Sequence, residues 1–229
     1  MARVVIINAN QDAATLEGCR LIAKRVRALV RPADGLEVDI VHFKRTTPAD
    51  VVGADALVVG PQGTPWWGYD AQALEGARAA IVAAAEGEVP VLGICGGHQL
   101  VAMAFGGQVG LLGGAAPPRL RAGLKPSYEG LPAEKGVFEL AAACDDVLVR
   151  GVPSGKFEQS HREEVRRLPR GFKVLMTGGA SRVQAMRHPR LPVWGVQFHP
   201  ERQWHKLPAG KRLMENFVRA AGLAADRRR

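Results

Sequence analysis

Up to Phe105 the chain alternates short apolar runs with longer amphipathic stretches, and few architectures accommodate that alternation. Residues 4–8 form an apolar run that ends in polar residues, the pattern of a buried strand. Residues 13–30 follow, with Leu16, Cys19, Ile22, Ala23, Val26 and Val30 at helical spacing, and Pro32 and Gly35 stop them. Residues 38–43 and 56–59 read as two more strands, the second ended by Gly60-Pro61. Residues 70–85 are Ala-rich and helical, closed by Gly87. Residues 89–94 read as a fourth strand, and 99–105 begin another helix. Strands separated by helices pair in parallel through right-handed crossovers. The expected fold is therefore α/β, built on an open, doubly wound, mainly parallel sheet.

The second half has a different texture. Residues 106–132 are rich in Gly and Pro. Short strand-like runs follow at 137–140, 147–149, 172–176, 183–186 and 193–198. Short sequential strands suggest a small antiparallel extension on one sheet edge. Residues 209–221 close the pattern as an amphipathic helix with Leu213, Phe217 and Val218 on one face. No internal repeat or linker divides the chain, so the expectation is one domain over residues 1–229 with a basic tail at 224–229.

Composition narrows the function classes. An apolar share of 47% is too high for intrinsic disorder. No apolar run is long enough for a membrane helix, and the first apolar run is too short for a signal peptide. Three widely spaced cysteines, Cys19, Cys95 and Cys144, favour neither a disulfide framework nor a zinc site. A reducing, cytoplasmic setting fits them. His42, His188 and His205 lack partners at ligand spacing, so no metal and no cofactor is expected. The net charge of +9 would suit nucleic acid, but the basic residues are spread out, with local excesses at 24–31, 162–173 and 227–229. No aromatic-basic interleaving marks a single-strand binding face, and the excess reads as a basic, solvated surface.

The chemistry concentrates at residues 89–100. An apolar strand runs into Gly93-Ile94-Cys95-Gly96-Gly97 and then into a helix. A sharp strand-to-helix turn of this kind needs very small neighbours and exposes its central residue. The amino end of the helix favours a thiolate, and the Gly96 amide points toward a developing oxyanion. An isolated cysteine of this kind would be an inert core residue; the flanking glycines argue for a nucleophile. A nucleophilic cysteine needs a base, and the base needs an orienting group. Residues 194–201, Trp-Gly-Val-Gln-Phe-His-Pro-Glu, supply both in His199 and Glu201, at the end of another strand.

Gly-Ile-Cys-Gly-Gly-His-Gln at 93–99, with Gly-Val-Gln-Phe-His-Pro-Glu at 195–201, resembles the class I, triad-type glutamine amidotransferases. The resemblance spans nearly the whole chain and implies a flavodoxin-like sheet. It implies Cys95 as a nucleophile that forms a γ-glutamyl thioester and releases ammonia, His199 as base and acid, and Glu201 as the orienting group. Residues 59–65, Val-Gly-Pro-Gln-Gly-Thr-Pro, are similar to the family's oxyanion loop, which implies Gly63 as an amide donor and Gly60 as a substrate contact. Gln62 inside that loop departs from the pattern. Gln159-Ser160-His161 resembles the segment whose backbone holds the substrate's α-amino and α-carboxyl groups, and Gln99 matches the substrate-binding Gln.

The details, including Leu168-Pro169-Arg170-Gly171-Phe172, most resemble the amidotransferase domain of GMP synthetases. The Ser-Gly-Gly-x-Asp-Ser run of an ATP-pyrophosphatase domain does not occur, so ammonia would pass to a separate synthase partner. Two other functions share the sequence. A γ-glutamyl hydrolase would use the same chemistry on γ-glutamyl amines or peptides. A regulatory chain would leave the triad idle. Trp66-Trp67 reads as ordinary packing beside the oxyanion loop, and His98 and Cys19 read as structural.

Overall fold

The computed structural model describes residues 1–30, 35–118 and 125–224. The basic excess at Arg31 and the tail beyond Ala224 lie outside them.

The strands are β1 (Ala2–Asn8), β2 (Leu36–His42), β3 (Ala56–Val59), β4 (Val91–Ile94), β5 (Gln108–Leu111), β6 (Glu134–Ala142), β7 (Ser154–His161), β8 (Glu163–Arg167), β9 (Lys173–Thr177), β10 (Ala185–Arg187) and β11 (Val193–Val196). The helices are α1 (Glu17–Leu29), α2 (Ala71–Glu86), α3 (Gly96–Ala104) and α4 (Pro208–Ala220). Nine strands form one sheet in the order β2-β1-β3-β4-β11-β10-β9-β6-β7, and β5 pairs with β8 in a separate ribbon. From β2 to β11 the pairing is parallel. From β11 to β7 it is antiparallel, so the extension contributes four strands.

The parallel strands are apolar on both faces because helices cover both. In β1, Val4 and Ile6 join Ile22, Val26, Leu213 and Phe217 of α1 and α4. Val5 and Ile7 face the other way, toward Leu74, Ala77, Ile81 and Leu100 of α2 and α3. Asp70 caps α2, its side chain accepting the Gln72 amide.

Two sequence expectations are corrected. Helix α3 starts at Gly96, immediately after Cys95, and not at Gln99. Glycines are poor helix formers, so the apolar periodicity understates where the helix begins. Residues 147–149 form a turn rather than a strand. The Asp146 carboxylate accepts the Leu148 N–H at 2.8 Å, the Trp194 indole N–H at 2.9 Å and the Arg187 guanidinium, which bends the chain there. Among the described residues no helix is long and apolar enough to cross a membrane.

Candidate active site

The site lies at the carboxyl ends of β3, β4 and β11, where doubly wound sheets gather ligands. Cys95 joins β4 to α3 with φ 54° and ψ −109°, a left-handed conformation rare for a residue with a side chain. Close packing imposes this turn. A Cβ on Gly97 would stand 1.9 Å from the Val59 carbonyl oxygen, and one on Gly93 would stand 2.5 Å from that of Gly97. A Cβ on Gly96 would meet Gln62, at 2.3 Å from its Cγ and 2.8 Å from its main-chain nitrogen. The oxyanion-loop residue seated against Gly96 is thus Gln62, the residue that departs from the family pattern. Gly63 follows it on the exposed side and lines the cavity. Gly60 does not line the cavity; it is buried, with Cys19 Sγ and the Ile7 carbonyl in the way of any side chain.

His199 and Glu201 follow β11. Both are buried, and His199 Nδ1 lies 2.8 Å from Glu201 Oε1. The His199 amide donates to the Glu158 carbonyl at 2.9 Å, which ties the post-β11 turn to β7. Burial alone would lower the His199 pKa. The Glu201 carboxylate and the Cys95 sulfur, through charge and hydrogen bonding, outweigh burial and push it up to about 10. Sulfur, imidazole and carboxylate therefore form one buried electrostatic chain.

Cys95 and His199 open into a cavity of about 290 Å³ lined also by Gln62, Gly63, Gln99, Tyr128, Ser160 and Glu163. Ser160 is exposed, and its carbonyl stands 3.9 Å from Cys95 Sγ. His161 is buried, with Nδ1 3.0 Å from the Glu163 carbonyl and Nε2 2.9 Å from Glu134 Oε2. Its ring is thus engaged by protein, and the Ser160 carbonyl is the group placed beside Cys95. Gln99 is engaged too. Its Oε1 accepts the Trp66 indole N–H at 2.6 Å, and its Nε2 donates to the Glu163 carbonyl at 2.6 Å and to Gln197 Oε1 at 3.0 Å. A larger cleft of about 610 Å³ lies along the 142–153 turn and holds none of these residues.

The sequence reading missed three contributors. Glu163 is a buried carboxylate that accepts the Trp66 amide, the Tyr128 hydroxyl and Gln62 Nε2. Burial pushes its pKa up against those hydrogen bonds. Its run, Arg162-Glu163-Glu164, reads as solvated charge, so no sequence signal marks its burial. Tyr128 crosses the cavity beside Trp67, in an edge-on contact with ring centroids 5.8 Å apart. Gln197 stood inside the His-Pro-Glu motif, and its Nε2 reaches Cys95 Sγ at 3.9 Å. His98 is fully buried against Gly195, and burial and then His161 lower its pKa to about 3, which keeps the ring neutral. Cys19 is buried under Gly60, and burial and then Glu201 push its thiol up to about 12, which leaves Cys95 as the cysteine at the cavity.

Residues 22–221 match the family described as glutamine amidotransferase class-I. The chain belongs to the class I glutamine amidotransferases.

Among relatives of this amidotransferase, the glutamine-hydrolysing GMP synthase subunit of Methanosarcina mazei is 33% identical over 90% of this chain and 92% of its own length. The protein of the same name from Pyrococcus abyssi is 36% identical over 60% of this chain and 63% of its own length. The chain spans less than two thirds of the length of several such relatives. The solved glutamine amidotransferase of Methylobacillus flagellatus superposes with a TM-score of 0.72, covering 98% of this amidotransferase and 96% of that chain at 16% identity, a likeness of fold.

Proposed function

We propose that this amidotransferase hydrolyses the side-chain amide of glutamine and hands the ammonia to a separate synthase chain. The observation that carries this reading is a cysteine on a strained elbow, beside a histidine bonded at 2.8 Å to a buried carboxylate. The Cys95 thiolate attacks the amide carbon. The oxyanion is held by the Gly96 amide, with the loop amides at Gln62 and Gly63 opposite it. With its pKa raised to about 10, His199 is an imidazolium at neutral pH and gives its proton to the leaving ammonia. The neutral ring then takes a proton from water, which attacks the thioester and releases glutamate. Glu201 orients the ring and balances its charge. The main chain of Ser160-His161 holds the α-carboxylate end of the substrate, and the Glu163 carboxylate faces its α-ammonium.

The GMP synthase names of the relatives favour a synthase partner that makes a purine nucleotide. The test is ammonia and glutamate release by the wild-type chain and by Cys95→Ala, with γ-glutamyl peptides as rival substrates. Release from glutamine that vanishes in Cys95→Ala supports the reading. A preference for the peptides would make the chain a γ-glutamyl hydrolase instead. Undiminished release by Cys95→Ala would sink both.

A further inference from the structure

Glu201 is fully buried, and only one of its carboxylate oxygens meets His199. The other oxygen, Oε2, is buried with no hydrogen-bond partner among the described residues. Beyond His199, the Arg202 guanidinium comes near, its Nε 3.7 Å from the oxygen that already meets His199. A carboxylate that orients a catalytic imidazole is normally pinned by donors of its own. Here the side chain lacks them, so its aim depends on the main chain that carries it.

That main chain is gripped from two sides by residues distant in sequence. Arg25, on α1, donates from Nε to the Glu201 carbonyl at 2.9 Å, across 176 positions of sequence. Trp204 donates from its indole N–H to the Pro200 carbonyl at 2.8 Å. The Arg25 guanidinium stacks over the Trp204 ring at 4.3 Å, so each donor braces the other. Helix α4 closes on the same turn: a Cβ on Gly210 would stand 2.6 Å from the Pro200 carbonyl oxygen. Pro200 removes one backbone freedom, and Gln203, at φ 47°, sends the chain sharply back.

We propose that Arg25 and Trp204 are positioning residues that hold the Pro200-Glu201 main chain so that the carboxylate stays on His199 Nδ1. The proposal rests on the reading of Cys95, His199 and Glu201 as a working triad. Neither residue lines the catalytic cavity. Arg25 is suited to the task because its planar fork can stack and donate at once, which lysine cannot do as well.

The test uses the full chain with Arg25→Ala, Arg25→Lys and Trp204→Phe, each normalised to the fraction of Cys95 that a glutamine-like electrophile labels. Arg25→Ala is expected to lower kcat about tenfold with KM within about twofold, since misaim of the acid costs chemistry and not binding. Its alkaline pH–rate limb moves to lower pH, because a loosened carboxylate supports the imidazolium less. Arg25→Lys recovers part of both effects, and Trp204→Phe loses less than Arg25→Ala because the stacking platform remains. A merely structural role lowers the labelled fraction and leaves the pH profile in place. The hydrogen-bonded Nδ1 proton of His199, followed by NMR, reads the grip without turnover. It is expected to weaken in Arg25→Ala and persist in Arg25→Lys. If it is unchanged in Arg25→Ala, the grip is refuted whatever the activity. A wild-type chain that releases no ammonia from glutamine, while this resonance still weakens in Arg25→Ala, refutes the glutaminase reading and leaves the grip standing.

Discussion

The two halves of the central sheet solve different problems. The parallel half, β2 to β11, is covered by helices on both faces and is stabilised by apolar burial. The antiparallel half ends in β7, which carries only one fully buried apolar residue, Phe157, beside the buried polar Gln159 and His161. Beside apolar residues of β6 and β9, Leu140, Leu175 and Met176, its interior carries a hydrogen-bonded network. The Glu134 carboxylate accepts the Ala180 amide at 2.8 Å and Gln184 Nε2 at 3.1 Å, and Gln184 Oε1 accepts Gln159 Nε2 at 2.7 Å. The parallel half carries Cys95, His199 and Glu201, the proposed nucleophile and its partners. The strands β7 and β8 supply the opposite wall of the cavity, at Ser160, His161 and Glu163. The elbow is held by packing here, and the wall opposite it by a buried polar network.

That division can be broken experimentally. The largest effect belongs to the parallel half: Cys95→Ala is expected to lower glutamine turnover by about 10⁴-fold or more while leaving the far-UV spectrum intact. Glu201→Gln comes next, with kcat down by about 10³-fold. The sign of its pH effect follows from the charges on His199. In the wild type the His199 pKa is pushed up to about 10, so the rate is expected to fall only as pH rises past that point. Without the Glu201 charge, Cys95 is left to oppose burial, so the ring loses its proton at lower pH and the alkaline limb of kcat/KM moves toward neutrality. An unmoved limb would mean that Glu201 does not set the state of His199.

Gly97→Ala probes packing rather than chemistry. Its Cβ would collide with backbone, at 1.9 Å from the Val59 carbonyl oxygen, so β3 and α3 must separate. Denaturant unfolding should register a loss of about 3 kcal/mol. In the antiparallel half, Glu163→Ala should raise KM about tenfold and lower kcat much less, by removing charge from the substrate wall. Equal loss in both constants would assign Glu163 to the chemistry instead.

The smallest effect concerns acid stability. Burial raises the Glu134 carboxyl, but His161, the Ala180 amide and Gln184 outweigh burial and hold it below its ordinary value. A depressed carboxylate contributes stability above its unfolded pKa and loses it as pH falls through the folded one. Wild-type stability should therefore decline in the acid carboxylate range, and Glu134→Gln should flatten that decline in pH-dependent melting.

The same contrast explains what could be read from the sequence. Doubly buried strands leave continuous apolar runs, so residues 56–59 and 89–94 announce β3 and β4 without a structure. The Gly93, Gly96 and Gly97 spacing announces the elbow because a Cβ at any of the three would clash with its neighbours. Strands β7 and β8 were invisible: Ser-Gly-Lys-Phe-Glu-Gln-Ser-His and Glu-Glu-Val-Arg-Arg carry the polar residues of a network, and polarity reads as loop. The burial of Glu163 depends on Trp66, Tyr128 and Gln62, which lie 97, 35 and 101 positions away, so no local pattern encodes it. Motif resemblance reached the main chain at Ser160 and His161, but the partners that fix it are visible only in three dimensions.

The left-handed backbone at Cys95 has a further consequence. The conformation is imposed by β3, β4 and α3 and is disliked by the residue that adopts it, at a cost of about 1–3 kcal/mol. Cys95→Gly would relax that cost without disturbing a neighbour. A selection that rewarded thermal stability alone would then favour a sturdier chain without the proposed nucleophile. Stability engineering of this molecule has to exempt the one position where improvement and inactivation are the same event.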